Sequence, residues 1–294
     1  MILDKIFRLS SRLLAPKLAR EMQRDGRLQL TDFSQEDIEN FIEVDNRGSD
    51  VTIFSFAGLA VLFSGLPSYE FKRTLREKDY NLVFIRDIRR LCYHVTPDGQ
   101  AGGLEFFEEH VKRVMASLGS SYHVAVGTSA GGSAAFYFGA RCGMDQVIAF
   151  SPGYPMTVYC SFWHRTQTCC DVKRLITSPG AYFELLLVTV GAWWSYRRLC
   201  KTVGKDRIWP VIDTYRSCDP RPRATVFYSA GSRPDARQAA LFDGIPEVKR
   251  VALPTLFHNC AGYLQQRGEL GRTILGEVQA GIKEKALGNN SIRR

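Results

Sequence analysis

The sequence predicts an α/β protein, with a mainly parallel sheet and helices on both of its faces. Three observations carry this expectation. Short β-branched and aromatic runs alternate with longer stretches of helical periodicity. The runs are mostly apolar, as strands covered on both faces are. With 294 residues, 45% hydrophobic and 23% charged, the chain can build one large core of its own.

The elements follow in order. Ile2 to Arg20 has apolar residues at helical spacing, with Lys5, Arg8, Arg12 and Lys17 flanking them. Residues 1–47 therefore read as an amphipathic helical extension, and 48–294 as the main domain. Val51–Phe56 is the first strand. Leu66–Lys78 has helical character, and Asn81–Ile85 is the second strand. A helix over Leu104–Leu118 presents Phe107, Val111, Val114 and Met115 on one side. His123–Val126 is the third strand, Ser133–Cys142 a buried Ala-rich helix, and Gln146–Phe150 the fourth strand. Ala224–Ser229 and Val248–Leu253 are the last two strands. Helices are expected over Ala236–Asp243 and Gly262–Lys283, followed by a frayed tail from Gly288. Residues 155–222 break the alternation and read as an insertion across one end of the sheet.

The formal net charge of +9 invites an anionic partner, but its distribution narrows the choice. The excess lies in the N-terminal 30 residues, in the insertion and at the C-terminus. The remaining body is slightly acidic. No zinc-finger spacing, RNP-like motif or Walker loop is present, so nucleic acid is not expected as a partner. The eight cysteines are scattered without a C-x-x-C pair. The sequence thus predicts neither a metal site nor a cofactor, and it fits a reducing, cytoplasmic setting. The start has no secretory pattern. The basic helix leaves three readings open: packing on the body, peripheral membrane contact, or a transit peptide. The apolar run Leu185–Trp194 is too short to span a bilayer.

At the end of the third strand stands Gly127-Thr128-Ser129-Ala130-Gly131, which fits G-x-S-x-G. A Val-rich strand enters and an Ala-rich helix leaves. Such a turn strains the serine backbone and projects its hydroxyl outward. Side chains two positions either side would collide, so Gly127 and Gly131 shape the turn. The other reading is a phosphate-holding turn, although those use more glycines or a Lys.

A serine hydroxyl needs a base to take its proton. In sheets of this kind the chain order is Ser, acid, His. Asp235 follows the fifth strand, where a loop would aim a carboxylate at the site. Its alternative use is as an N-cap for a helix from Ala236. Asp213 and Asp219, in the insertion, are weaker rivals. Among five histidines, His258 alone lies beyond Asp235, just after the last strand. His94, His110, His123 and His164 precede the acid. Two N–H groups should face the developing oxyanion. Ala130 offers one, and Gly58 or Leu59, after the first strand, offers the other. Gly58 also reads as a plain turn glycine.

These residues resemble the α/β-hydrolase superfamily from about Val51 to Leu275. More narrowly they look like a small bacterial group of serine hydrolases, often cyanobacterial. The likeness runs through Phe56-Ala57-Gly58, the loop from Pro67 to Glu70-Phe71, Arg86-Asp87 and Gly127-Thr-Ser-Ala-Gly-Gly132. It continues through Ala149–Pro152, Asp235 and His258-Asn259. Ala130 stands where larger residues are frequent, and the insertion is unusually apolar and basic. The resemblance implies a serine esterase-type fold, with the insertion as a lid after the sixth-strand position of that family's sheet. Some relatives look associated with surface polysaccharide or glycoprotein acyl transfer.

Three functions follow as expectations. The first is cleavage of an ester or thioester by Ser129, His258 and Asp235 through an acyl-enzyme. The substrate would be a small or glycan-linked ester. The second is acyl transfer to a sugar or alcohol by the same residues. The third is a non-catalytic, membrane-peripheral scaffold on the same fold.

Overall fold

A computed structural model describes residues 39–59, 69–76, 79–153 and 171–292, with side chains to residue 287. The N-terminal helix expected over Ile2–Arg20 lies outside these residues. So do residues 154–170 of the insertion, with His164, and residues 60–68, which include Pro67.

The strands are β1 (Ile42–Asp45), β2 (Val51–Phe56), β3 (Asn81–Ile85), β4 (Tyr122–Thr128), β5 (Gln146–Phe150), β6 (Arg223–Ser229) and β7 (Val248–Leu253). They form one sheet in the order β1-β3-β2-β4-β5-β6-β7. Every neighbouring pair is parallel except β1 with β3. The fold class therefore stands as the sequence predicts it. β1 is the addition. It lies inside the span assigned to a helical extension, and pairs antiparallel with β3 from Ile42 opposite Ile85 to Asp45 opposite Leu82. Residues 42–45 thus belong to the sheet.

All residues of β2, β3 and β5 are buried. Successive side chains of a strand point to opposite faces, and the chain uses both. Phe54, Phe56, Val83, Ile85, Ala125, Val147, Ala149 and Val226 enter one core. Ile53, Leu82, Phe84, Val124, Val126, Ile148, Phe150 and Phe227 enter the other. This is why the strands read as mostly apolar runs.

The first core is covered by α2 (Gly103–Leu118), α3 (Ala130–Arg141), α6 (Val211–Ser217) and α7 (Arg233–Ala240). The second is covered by α1 (Lys72–Leu75), α8 (Cys260–Gln266) and α9 (Leu270–Ile292). Small residues bring α3 against the sheet: a Cβ on Gly139 would stand 2.7 Å from Val147 Cγ2. Each buried Phe or Ile contributes about 1.5–3 kcal/mol relative to exposure, so the two layers fix the sheet and its upper edge firmly.

Some boundaries differ from expectation. The helical stretch from Leu66 is described only as α1, over Lys72–Leu75. The helix expected at Ala236 begins at Arg233, with Ser232 as N-cap and Pro234 in its first turn. The C-terminal helix is two, α8 and α9, and the tail expected to fray from Gly288 is helical to Ile292. The described part of the insertion holds α4 (Val172–Thr177), α5 (Pro179–Val203), a 3₁₀ turn (Lys205–Arg207) and α6. Among the described residues, no helix is long and apolar enough to cross a membrane.

Candidate active site

β4 ends at Thr128 and α3 starts at Ala130, leaving Ser129 alone to make the turn. Its backbone sits at φ 55°, ψ −120°, a region that costs a non-glycine residue roughly 1–3 kcal/mol. The surroundings hold it there. Ser129 N–H donates to Phe150 O (2.8 Å), and Gly153 N–H donates to Ser129 O (2.9 Å). The two glycines are sterically required. A Cβ on Gly127 would lie 2.2 Å from Gly131 O, and one on Gly131 would lie 2.1 Å from Phe56 O.

The loops after β6 and β7 bring the other two residues to this turn. His258 Nε2 lies 2.9 Å from Ser129 Oγ, and His258 Nδ1 lies 2.7 Å from Asp235 Oδ1. The ring and the carboxylate are buried, at 4% and 1% exposure. An ionised carboxylate only accepts, so Nδ1 carries the proton and Nε2 faces the hydroxyl as an acceptor. Burial of the ring opposes its protonation. The Asp235 charge, its hydrogen bond and the Glu184 charge outweigh that, and the imidazole is held above its ordinary range. Asp235 is neither on a loop nor an N-cap. It occupies the first turn of α7, whose N-cap is Ser232. Asp213 and Asp219 are exposed.

The oxyanion donors are placed differently from expectation at one position. Ala130 is the first residue of α3, where an N–H has no partner within the helix and the dipole favours negative charge. Gly58 N–H, however, donates to Glu70 Oε1 at 2.9 Å. Leu59 therefore remains the candidate donor of that loop, and Gly58 serves closeness. A Cβ there would stand 2.8 Å from Thr128 O. The loop is fixed from behind, since Tyr93 Oη donates to Ala57 O (2.8 Å) and Ala57 N–H to Ile85 O (2.9 Å).

The carboxyl end of Glu70 is enclosed although the residue is partly exposed. Among the described residues, its Oε2 has no hydrogen-bond partner. Burial pushes Glu70 up to about 7, against the pull of the Gly58 and Thr128 N–H groups. Sequence reasoning noticed Glu70 only through the family resemblance.

Glu184 was missed. It lies on α5, buried, and accepts from His258 N–H (2.8 Å) and Asn259 N–H (3.0 Å). Its one signal in the sequence is a lone acid in an apolar helix. Nearby, Arg174 of α4 donates to Gly231 O, in the loop that leads to Asp235. α4 and α5 thus hold the loop that leads to Asp235 and the one that carries His258. The other described histidines have structural partners. His94 takes Trp209 N–H at Nε2 (2.9 Å) and faces Cys92 O with Nδ1 (2.7 Å). His110 Nδ1 contacts Phe106 O, and His123 stands beside Asp145.

A parallel sheet ordered in this way, with a strained serine between its fourth strand and the following helix, is the α/β-hydrolase fold, and solved structures agree. The chain is similar to esterase B from Lactobacillus rhamnosis, solved inhibited by a tributyrin phosphonate (TM-score 0.56, 12% identity, 96% of each chain covered). It is similar to MenH from S. aureus (TM-score 0.53, 11% identity, 82% of this chain and 99% of that one). A proline iminopeptidase from Mycobacterium smegmatis follows at TM-score 0.52 and 12% identity, covering 82% and 94%. No family profile and no curated protein matches the sequence. The protein has the α/β-hydrolase fold.

Proposed function

We propose that the protein is a serine hydrolase that cleaves an ester or thioester through an acyl-enzyme. The observation that carries this reading is the unbroken chain Ser129 Oγ–His258 Nε2 and His258 Nδ1–Asp235 Oδ1, at 2.9 and 2.7 Å.

The chemistry follows from that geometry. His258 Nε2 takes the Ser129 proton as Oγ attacks the acyl carbon, and the oxygen of that carbonyl becomes negative. Ala130 N–H and Leu59 N–H stabilise it. The imidazolium, held by Asp235, then gives its proton to the leaving oxygen or sulfur. The acyl group stays on Ser129. Water, deprotonated by His258, attacks the ester and releases the acid, and the proton returns to Oγ. The same acyl-enzyme serves an alcohol or sugar acceptor, and water exclusion decides between the two.

Exposed Leu256 and Phe257 directly precede His258, and exposed Phe183 adjoins Glu184 on α5. A Cβ on Gly180 of α5 would stand 3.6 Å from Phe257 Cζ. This apolar rim supports an apolar acyl group. A panel of p-nitrophenyl esters of increasing chain length, with and without added alcohols, tests the reading. Turnover that rises with chain length and disappears in Ser129→Ala is the expected outcome. A folded protein that turns over none of them contradicts it.

A further inference from the structure

The insertion touches the site at a point the reaction above does not use. α5 buries Glu184 directly beneath the histidine's backbone, 74 residues away in sequence. Its two carboxylate oxygens divide between two consecutive amides, His258 N–H at 2.8 Å and Asn259 N–H at 3.0 Å. Asn259 is itself the N-cap of α8, its Oδ1 accepting from Gly262 N–H. Glu184 therefore clamps the short link between β7 and α8 at the residue that carries the imidazole.

Among the described residues no lysine or arginine pairs with Glu184, and a buried carboxylate without such a partner is costly; a helix that only needed to pack would carry an apolar residue here. Among the described residues, the charged groups that bear on Glu184 are His258, which favours its ionised form, and Asp235, which opposes it. Burial is the larger effect and holds Glu184 above the usual carboxylate range. In return its charge favours the protonated ring of His258.

We propose that Glu184 is a positioning residue for His258: the insertion supplies a second carboxylate that fixes the histidine's loop and supports its imidazolium. The proposal rests on the reading of Ser129, His258 and Asp235 as the reacting group. It gives the insertion a role beyond covering the site. Docking of α5 completes the histidine's environment, so the site is assembled only when the insertion is seated.

The test compares the full chain with Glu184→Gln, which keeps the size and one acceptor oxygen but removes the charge. Labelling by a fluorophosphonate should slow by roughly ten- to a hundredfold, the scale of a small misplacement of a reacting group. NMR titration of the His258 ring should show its protonation midpoint moved to lower pH. An unchanged midpoint overturns the proposal, whatever the labelling rate. The ring titrates whether or not the protein turns over an ester. Failure of wild type to label therefore counts against the catalytic reading alone. Should Glu184→Gln fail to fold, hydrogen exchange of wild type decides the matter. Slow exchange of the His258 and Asn259 amides is expected, and fast exchange at both overturns the proposal.

Discussion

Gly58 N–H donates to the carboxylate of Glu70 at 2.9 Å, which ties the loop after β2 to a residue twelve positions further on. This bond redirects the candidate oxyanion donor from Gly58 to Leu59. It also makes the shape of the loop depend on a carboxyl group that titrates near neutrality.

Stability should register that titration. Glu70 has its proton-binding range raised from 4.5 to about 7, with burial as the main cause. The folded state then binds a proton more tightly than the unfolded state. Stability is lost as pH rises from about 4.5 to about 7, by on the order of 3 kcal/mol. Glu70→Gln removes that slope. Urea melts should show the variant gaining on wild type between pH 5 and pH 8. A difference that stays constant with pH would contradict the assignment.

His94 should act in the opposite sense. Burial lowers it from 6.5 to about 4, against the Cys92 and Leu91 carbonyls that favour its proton. The unfolded state binds the proton more tightly here. Stability is therefore lost as pH falls from about 6.5 to about 4, again by on the order of 3 kcal/mol. His94→Gln should be less sensitive to acid than wild type in the same melts, despite losing the Trp209 N–H bond. The two groups oppose each other between pH 4.5 and 6.5, so only the single variants expose each slope.

Gly58→Ala should separate closeness from stability. The added Cβ meets Thr128 O at 2.8 Å, which pushes the Leu59 loop away from Ser129. An oxyanion donor displaced from its place costs about 10²–10³ in kcat. Steady-state kinetics should show kcat reduced with KM little changed, in a protein that still folds. A proportional rise in KM at constant kcat would place Gly58 in substrate binding instead.

Gly131→Ala is a harsher change. Its Cβ would meet Phe56 O at 2.1 Å and Gly58 N at 2.9 Å, all rigid backbone. The turn has no room to relax, and we expect a loss of more than about 3 kcal/mol. Thermal unfolding that matches wild type would show that the turn is looser than the geometry requires.

Most of the sheet was legible because β2 to β7 are long enough and apolar enough to announce themselves. β1 was not: Ile42-Glu-Val-Asp45 is four residues, half of them acidic, and gains its strand state by pairing with β3. The serine turn was legible because its sterics demand glycine at both flanking positions. Asp235 was singled out by chain order, although its local structure was misread. Ser232 followed by Arg233-Pro234 marks a helix start, and that signal places Asp235 inside the first turn. Glu184 was beyond reach, since nothing local links position 184 to position 258. Only the fold lays α5 against the link between β7 and α8.

The central claim is that Ser129 is a nucleophile activated by His258 and Asp235. Exposure to a fluorophosphonate, followed by intact mass and peptide mapping, tests it most directly. Wild type should gain one phosphonyl group, located on Ser129, while Ser129→Ala gains none and His258→Ala reacts at least a thousandfold more slowly. A folded wild type that gains no mass, or a Ser129→Ala variant that gains the same mass, would contradict the account.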